Sequence, residues 1–254
     1  MNLKDFKPKQ RFSTKARYYE NRLDYPDKII EILKKEIDFN SKFTIADIGS
    51  GTGKLSLLFI PGGNLIYAIE PNREMMKLAV SSLKSNNNFQ PILACAEQTG
   101  LADESVDLIC IGQAFHWFDK QECYGEFKRI LKNPGYLAIF GKKSDFVDKV
   151  LNEEYLAIFD QLCPKPEKRP NYDDEDVEQL FSPFKPGKIE VSENIRQTSD
   201  RIIKGTLSYS YAPDGDCPEG LKLVEVLEEC LNKYSVDGFF ETVVRTKITV
   251  GQIK

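Results

Sequence analysis

Short apolar runs alternate with segments whose apolar residues recur every three to four positions, which predicts strands separated by helices over the first 142 residues. The predicted strands span residues 43–48, 64–69, 90–94, 106–112 and 135–140. Helices are predicted to begin near Pro26, Lys54, Asn72 and Cys123. Strands separated by helices of this length imply right-handed crossovers, so the pattern predicts an α/β fold with a parallel sheet.

The pattern changes after Lys143. It predicts helices over 146–163, 176–181, 198–207 and 221–234, strands over 187–191 and 239–250, and a polar connection over 164–176. We therefore divide the chain into an N-terminal arm with a ligand-binding core (1–143), an inserted substrate cover with one core strand (144–213), and a closing helix with the last core strand (214–254).

A glycine-rich turn follows the first predicted strand and carries glycines at positions 49, 51 and 53. Alternate glycines let the backbone turn sharply and approach a ligand closely. The helix predicted from Lys54 points its free amides at the same crevice. Glu70 ends the second predicted strand, where an acidic side chain can accept both hydroxyls of a ribose. The pattern indicates a nucleoside site.

The spacing of this turn distinguishes between cofactors. A dinucleotide fingerprint, Gly-x-Gly-x-x-Gly, would need a third glycine where Lys54 stands. Asp47, two residues before the turn, would repel a pyrophosphate but can face the ammonium of a methionine moiety. These features favour S-adenosylmethionine; the alternative is a tight turn in an ordinary α/β protein.

Composition narrows the class of protein. With 254 residues, 41% of them hydrophobic and 29% charged, the chain suits one folded domain with an insertion. No apolar run approaches the roughly 20 residues of a membrane span, and the N-terminus lacks the apolar centre of a signal peptide. Six scattered cysteines and one histidine argue against a metal site. We expect a cytoplasmic enzyme, and the net charge of −4 predicts no nucleic-acid partner.

Four segments carry a resemblance to a known family: 47–53, 69–71, 96–101 and 113–118. The chain resembles the class I, Rossmann-like S-adenosylmethionine-dependent methyltransferases, in the broad group that contains trans-aconitate methyltransferase-like and other small-molecule enzymes. Residues 18–26 and 208–213 are similar to a largely uncharacterised bacterial subgroup. The resemblance implies a mostly parallel seven-stranded sheet with an antiparallel last strand, helices on both faces, and a mainly helical insertion as substrate cover.

The resemblance implies S-adenosyl-L-methionine as cofactor, S-adenosyl-L-homocysteine as product, and a set of donor contacts. These are Asp47, Gly49, Ser50, Gly51 and Gly53 around the methionine part, Glu70 on the ribose, Pro71, Met75, Cys95, Ala96 and Glu97 around the adenine, and Gln113 near the methyl group. Many relatives carry an aspartate where Cys95 stands. Because a thiol accepts hydrogen bonds poorly, Glu97 or a backbone carbonyl must bind the adenine amino group.

His116 and Trp117, the single histidine and single tryptophan, follow the fourth predicted strand. Ligands of open parallel sheets bind beyond the carboxyl ends of the strands, so we expect both residues to line the acceptor pocket. With an unperturbed pKa of about 6.5, His116 is a candidate general base. The alternative is that Phe115, Trp117 and Phe118 only pack beneath the cofactor while His116 bonds a backbone carbonyl.

The N-terminal arm is expected to fold over the cofactor, as it does in the family. Tyr18 is a second candidate catalytic residue, and Arg22 is expected to pair with a carboxylate of the donor or of an acidic acceptor. Tyr209 and Tyr211 are expected to line the acceptor pocket. The alternatives are an exposed surface arm and a helix end that packs on the sheet.

The function that follows is in-line transfer of a methyl group from S-adenosylmethionine to an oxygen or nitrogen nucleophile of a small molecule. A carboxylate acceptor needs no base, whereas an amine or phenol needs proton removal. Two alternatives stay open: a non-catalytic S-adenosylmethionine sensor or partner-binding protein, and a nucleotide-dependent oxidoreductase. The pattern names neither the acceptor nor the oligomeric state.

Overall fold

The computed structural model describes residues 13–163 and 174–254, in which seven strands form one sheet. The strands are β1 (Thr44–Ile48), β2 (Leu65–Ile69), β3 (Phe89–Ile92), β4 (Val106–Gly112), β5 (Leu131–Phe146), β6 (Gly187–Thr198) and β7 (Phe239–Gln252). Their order across the sheet is β3-β2-β1-β4-β5-β7-β6. Strands β1 to β5 pair in parallel, whereas β7 runs antiparallel to both β5 and β6. The predicted sheet with an antiparallel last strand is confirmed.

The helices of the described residues begin close to where the pattern predicts them. They are α1 (Lys28–Ile37), α2 (Lys54–Phe59), α3 (Arg73–Leu83), α4 (Lys120–Ile130), α5 (Lys149–Leu162), α6 (Asp174–Gln179), α7 (Ser199–Leu207) and α8 (Pro218–Tyr234). Asn72 caps α3 as predicted, since its side chain accepts from the backbone N–H groups of Glu74 and Met75 at 3.0 Å.

Two apolar clusters cover opposite faces of the sheet, and β4 contributes to both because successive side chains of a strand alternate. Leu108 and Cys110 pack with α1 on one face, whereas Ile109 and Ile111 pack with α4 on the other. The prediction of helices on both faces is confirmed. Because both faces of β4 are covered, residues 108–111 form a continuous apolar run.

A third apolar cluster joins α5, α7 and α8 to each other and to Phe240 at the start of β7. These helices form the cover, by which we mean residues 149–162 and 199–234. Helix α8, which the pattern assigns to the closing segment, packs here. The division of the chain at 144 and 214 stays a prediction. Residues 1–12 of the arm and residues 164–173 of the polar connection lie outside the described residues.

Two strands are longer than predicted. β5 continues from Phe140 to Phe146, and β6 continues from Val191 to Thr198. Both extensions pair with β7, which reaches Thr242 opposite Phe146. Both extensions follow from backbone pairing with β7, which lies about 100 residues from β5 and about 40 to 55 residues from β6 in sequence, so local hydrophobicity does not encode them.

Candidate active site

A cavity of about 1380 Å³ lies at the carboxyl ends of the parallel strands, between the sheet and the cover. Its walls come from the turn after β1, the ends of β2, β4 and β5, the arm before α1, and helix α7. This is the edge at which open α/β sheets bind ligands. Among the described residues, no helix combines the length and the apolar character needed to cross a bilayer.

The turn after β1 requires its glycines. The φ angles of Gly49, Gly51 and Gly53 are 70°, 58° and 82°, and residues with a Cβ atom rarely adopt such values. A Cβ on Gly49 would lie 2.5 Å from the Cβ of Ala114. Gly49 and Gly51 line the cavity, but Gly53 faces Leu83 of α3 instead. Gly53 therefore allows the turn to pack closely on α3 and does not line the cavity.

Asp47 is the next-to-last residue of β1, and its carboxylate is buried. Only one of the two carboxylate oxygens accepts a hydrogen bond from the described residues. Oδ2 of Asp47 accepts from the Ser56 hydroxyl at 2.6 Å, whereas Oδ1 has no hydrogen-bond partner among the described residues. Within the same part of the chain, the buried Ser50 hydroxyl also lacks a partner. Burial raises the pKa of Asp47 to about 7. An unpartnered buried oxygen at this place fits a ligand ammonium, which would supply the missing donor and charge.

Glu70 lies directly after β2, and backbone donors hold both of its carboxylate oxygens. Oε2 accepts from the Gly51 N–H at 2.9 Å and Oε1 accepts from the Asn72 N–H at 2.8 Å. Each oxygen keeps a lone pair for a further donor. Burial raises the pKa of Glu70, and the two N–H donors oppose that rise. The carboxylate is therefore fixed in place to accept a pair of hydroxyls, which fits a ribose.

The predicted adenine contacts are together in the cavity wall: Pro71, Met75, Cys95, Ala96 and Glu97. Glu97 has a further task, because its Oε1 accepts from the Asp119 N–H at 3.1 Å and so holds the start of α4. Leu93, Gln98 and Phe118 complete this part of the wall. These three are residues that the sequence interpretation missed.

Gln113, His116 and Trp117 also line the cavity. Gln113 has φ of 58° and donates from Nε2 to the Lys142 carbonyl at 2.6 Å, which ties the end of β4 to β5. His116 and Trp117 follow on a short 3-10 turn, with ring centroids 4.8 Å apart. The half-buried His116 ring thus borders the ligand space, which a candidate base requires.

The arm contributes a different tyrosine from the one predicted. Tyr18 does not line the cavity; it packs against the cover cluster, and its hydroxyl lies against Gly215. Tyr19 lines the cavity instead, and a Cβ on Gly51 would lie 3.9 Å from its ring. The prediction of Tyr18 as a pocket residue is therefore wrong, because Tyr19 occupies that part of the wall, while Tyr18 as a catalytic residue stays a prediction. The arm is a 3-10 helix of six residues, too short for sequence periodicity to define its inner face.

Arg22 lines the cavity and is held there by the cover. Its Nε donates to the Ser208 hydroxyl at 2.8 Å and an Nη donates to the Ser208 carbonyl at 3.0 Å. Its guanidinium lies 4.2 Å from the ring centroid of Tyr19 and 5.0 Å from that of Tyr209. The arm therefore borders the cavity and contacts the cover at Ser208, the residue that follows α7, whereas its position over the cofactor stays a prediction.

Tyr209 and Tyr211 line the cavity as predicted, and they pack against each other at 5.8 Å between centroids. The sequence interpretation missed Tyr155, Arg201 and Lys142 in the same region. Lys142 follows the predicted fifth strand by two residues, so its place beyond a strand end was the available signal. Tyr155 and Arg201 come from cover helices, whose packing on the sheet the sequence did not specify.

Comparison with known proteins finds methyltransferases similar to part of the chain. Residues 46–139 match the family model described as a methyltransferase domain. An uncharacterized methyltransferase of Schizosaccharomyces pombe is 38% identical over 130 residues, which is 50% of this chain and 51% of that protein. A malonyl-[acyl-carrier protein] O-methyltransferase of a Marinomonas strain is 27% identical over 133 residues, 50% of this chain and 48% of that protein.

Solved structures agree on the fold. A protein of Anaeromyxobacter dehalogenans assigned provisionally as a type II methyltransferase has a TM-score of 0.66 at 18% identity, covering 91% of this chain and 98% of that one. A Haemonchus contortus phosphoethanolamine N-methyltransferase, solved with S-adenosylhomocysteine, has a TM-score of 0.54 at 16% identity, covering 98% of this chain and 60% of that one.

The chain spans about half the length of the curated relatives it matches. Residues 46–139 contain the glycine turn, Asp47 and Glu70, which are the residues that fit the methyl donor. This part of the chain is therefore similar to a methyltransferase domain, and its site fits S-adenosylmethionine as the cofactor.

Proposed function

We propose that the protein transfers a methyl group, in line, from S-adenosylmethionine to an oxygen or nitrogen nucleophile of a small molecule. The observation that carries this proposal is the pair of fixed carboxylates, Asp47 and Glu70, in one enclosed cavity with the arm and the cover closing over it. The cavity leaves space beside these residues for a second ligand. The proposal includes the cytoplasmic location and the small-molecule partner, which stay predictions.

The donor side of the mechanism rests on the sheet. Asp47 would hold the ammonium, Glu70 the ribose hydroxyls, and the turn at Gly49 would let the backbone approach the methionine part. When bound, S-adenosylmethionine supplies a methyl carbon that its sulfonium sulfur already activates. The protein therefore needs chiefly to orient a nucleophile and exclude water, and proximity accounts for much of the acceleration.

The acceptor side rests on the cover and the arm. Tyr19, Arg22, Tyr209 and Tyr211 would enclose the acceptor, with His116 on the opposite wall. His116 can receive a proton from an amine or a phenol, whereas a carboxylate acceptor gives up no proton. The Marinomonas relative is named as an O-methyltransferase, which favours oxygen as the accepting atom.

Two measurements test the proposal against its alternatives. Calorimetry should show S-adenosylhomocysteine binding and no comparable binding of NAD; preferential NAD binding would indicate an oxidoreductase. Incubation with S-adenosylmethionine and a metabolite panel, read by mass spectrometry, should show one acceptor gaining a methyl group. Binding without turnover on any acceptor would instead support a sensor or partner-binding protein.

A further inference from the structure

Lys142 lines the cavity wall and forms no ion pair with a carboxylate of the described residues. Its ammonium donates to the carbonyl oxygens of Leu23 and Asp24, the latter at 3.1 Å, and lies 4.1 Å from the ring centroid of Tyr25. An ammonium has three N–H donors, so one donor remains after the two carbonyl bonds.

The neighbouring charges do not compensate for Lys142. Asp24 is the carboxylate of the arm, but its oxygens pair with Lys54 at 2.6 Å and with Arg201 at 3.5 Å. The Arg22 guanidinium donates hydrogen bonds to Ser208 and lies against two tyrosine rings. This side of the cavity therefore carries an excess of positive charge.

Burial costs Lys142 its hydration, and the charge of Lys54 adds to that cost; together they lower the pKa of Lys142 to about 7. Other charges that act on the amine are Asp24 and Glu193, which favour its protonation, and Arg22, which opposes it. A buried cation without a counter-ion is unfavourable unless a ligand supplies one. The donor side has the opposite charge, since Asp47 and Glu70 lie there.

We propose that the methyl acceptor is a small carboxylic acid, and that Lys142 and Arg22 bind its carboxylate at the arm side of the cavity. The aromatic side chains of Tyr155, Tyr209 and Tyr211 would pack on the apolar body of the acid. The bound carboxylate is the recognition group, because oxygens engaged by an ammonium and a guanidinium are poor nucleophiles. A second oxygen or nitrogen of the acceptor then receives the methyl group. This inference rests on the proposed function.

The structure favours a carboxylate over a phosphate as the recognition group. A phosphate dianion needs several convergent N–H donors, such as a helix N-terminus, to offset its desolvation. At this side of the cavity, Ser208 marks the carboxyl-terminal end of α7, where the helix dipole disfavours a second negative charge. One ammonium donor and one guanidinium suit a single carboxylate.

The test uses the full chain saturated with S-adenosylhomocysteine and measures binding of matched pairs of simple probes by calorimetry. The acids are acetate, fumarate, benzoate and phenylacetate, each compared with its primary amide, and inorganic phosphate is a separate arm. The variants are Lys142→Met, which removes the charge, and Lys142→Arg, which keeps it. Lys247→Met is the matched control, since Lys247 is an exposed β7 residue outside the cavity wall.

We expect at least one acid to bind the wild type at least about tenfold more tightly than its amide, as for a charge-assisted contact. Lys142→Met should lose that preference, Lys142→Arg should keep most of it, and Lys247→Met should be unchanged. Lys142 also donates hydrogen bonds to the arm. If Lys142 only held the arm in place, Lys142→Met would weaken the binding of the acid and of its amide equally.

Four results would overturn the proposal: amides that bind as well as acids, acids that bind Lys142→Met unchanged, tighter binding of phosphate, or no acid binding at about 10 mM, a concentration well above weak millimolar affinity. If S-adenosylhomocysteine itself fails to bind the wild type, the proposed function fails first. If it binds and the acids do not discriminate, this inference alone fails.

Discussion

The buried Asp47 and the half-buried Lys142 have pKa values shifted toward neutrality from opposite directions. Burial raises the pKa of Asp47 to about 7 and lowers that of Lys142 to about 7. Both shifts have the same cause, since each charge lacks enough compensation from the protein. Perturbed groups of this kind cluster at functional sites because the ligand supplies the missing partner. The two residues therefore mark the cavity as a site for one cationic and one anionic ligand group.

Replacement of Glu70 by Gln should weaken binding of S-adenosylhomocysteine by at least about tenfold, because an amide offers the ribose one acceptor where the carboxylate offers two. The change also puts an N–H group against one of the backbone donors of Gly51 and Asn72. Calorimetry on the folded variant checks this. Glu74→Gln is the matched control, because Glu74 is exposed and pairs with Lys77. Unchanged affinity in Glu70→Gln would show that the ribose assignment is wrong.

Binding of the donor should depend on pH through Asp47. Below about pH 7 the raised pKa leaves Asp47 protonated in the free protein, so an incoming ammonium must displace a proton. The affinity for S-adenosylhomocysteine should therefore rise, by up to about tenfold per pH unit, as the pH increases toward about 7, and then level off. Asp47→Asn should bind more weakly at neutral pH and lose most of this slope. A slope that persists in Asp47→Asn would assign it to another group.

Acid binding should depend on pH in the opposite sense through Lys142. The amine loses its proton above about pH 7, so a carboxylate probe should bind more weakly as the pH rises past that value. The loss should approach about tenfold per pH unit until the pKa of the bound form is reached. Titration of benzoate against the S-adenosylhomocysteine complex measures this slope. Lys142→Arg should bind benzoate without it, because a guanidinium stays charged.

Among the elements, those defined by local pattern were predictable and those defined by distant pairing were not. Strand β4 was predicted over its full length because both of its faces are buried, and the start of α3 was predicted from its Asn72 cap. The ends of β5 and β6 were missed because pairing with β7 determines them. Tyr19 was missed in favour of Tyr18 because a single 3-10 segment does not reveal its inner face.

The arm is held by charges from three different elements. Asp24 pairs with Lys54 of α2 and Arg201 of α7, and Lys142 of β5 donates to the Asp24 carbonyl. Exposed ion pairs contribute only about 0.2–1 kcal/mol each to the free energy of unfolding. Their effect should therefore be on the local closure of the arm more than on global stability.

Replacement of Asp24 by Asn should increase hydrogen exchange in peptides that cover residues 14–26, with a global destabilisation of about 1 kcal/mol or less. Hydrogen–deuterium exchange with mass spectrometry measures the first quantity, and denaturant unfolding measures the second. Asp200→Asn is the matched control, because that exposed carboxylate pairs with Lys204 within α7. Equal exchange in the arm of both variants would contradict the role given to Asp24.

Across the whole molecule, the proposed donor contacts and the proposed acceptor contacts come from different parts of the structure. The residues that fit the donor lie on the sheet and its first turns, whereas most of the acceptor wall comes from the cover and the arm. The sequence could locate the donor residues because a tight turn has a compact signature. For the proposed acceptor wall it named Arg22, Tyr209 and Tyr211 but missed Lys142, Tyr155 and Arg201, because these three come together only when distant helices pack on the sheet.

This division predicts that damage to the cover separates acceptor binding from donor binding. Leu227 is fully buried in the cover cluster, and Leu33 is fully buried in the separate cluster that α1 forms with the sheet. Replacement of either by Ala should destabilise the fold by about 2–5 kcal/mol, the usual cost of such a cavity.

In Leu227→Ala, S-adenosylhomocysteine affinity should stay within about threefold of the wild type while KM for the acceptor rises, because only the cover relaxes into the cavity. Leu33→Ala should leave KM near its original value. Calorimetry and steady-state kinetics, both done where each variant is folded by circular dichroism, measure the two quantities. Parallel losses of donor and acceptor binding in Leu227→Ala would show that the cover and the sheet act as one unit.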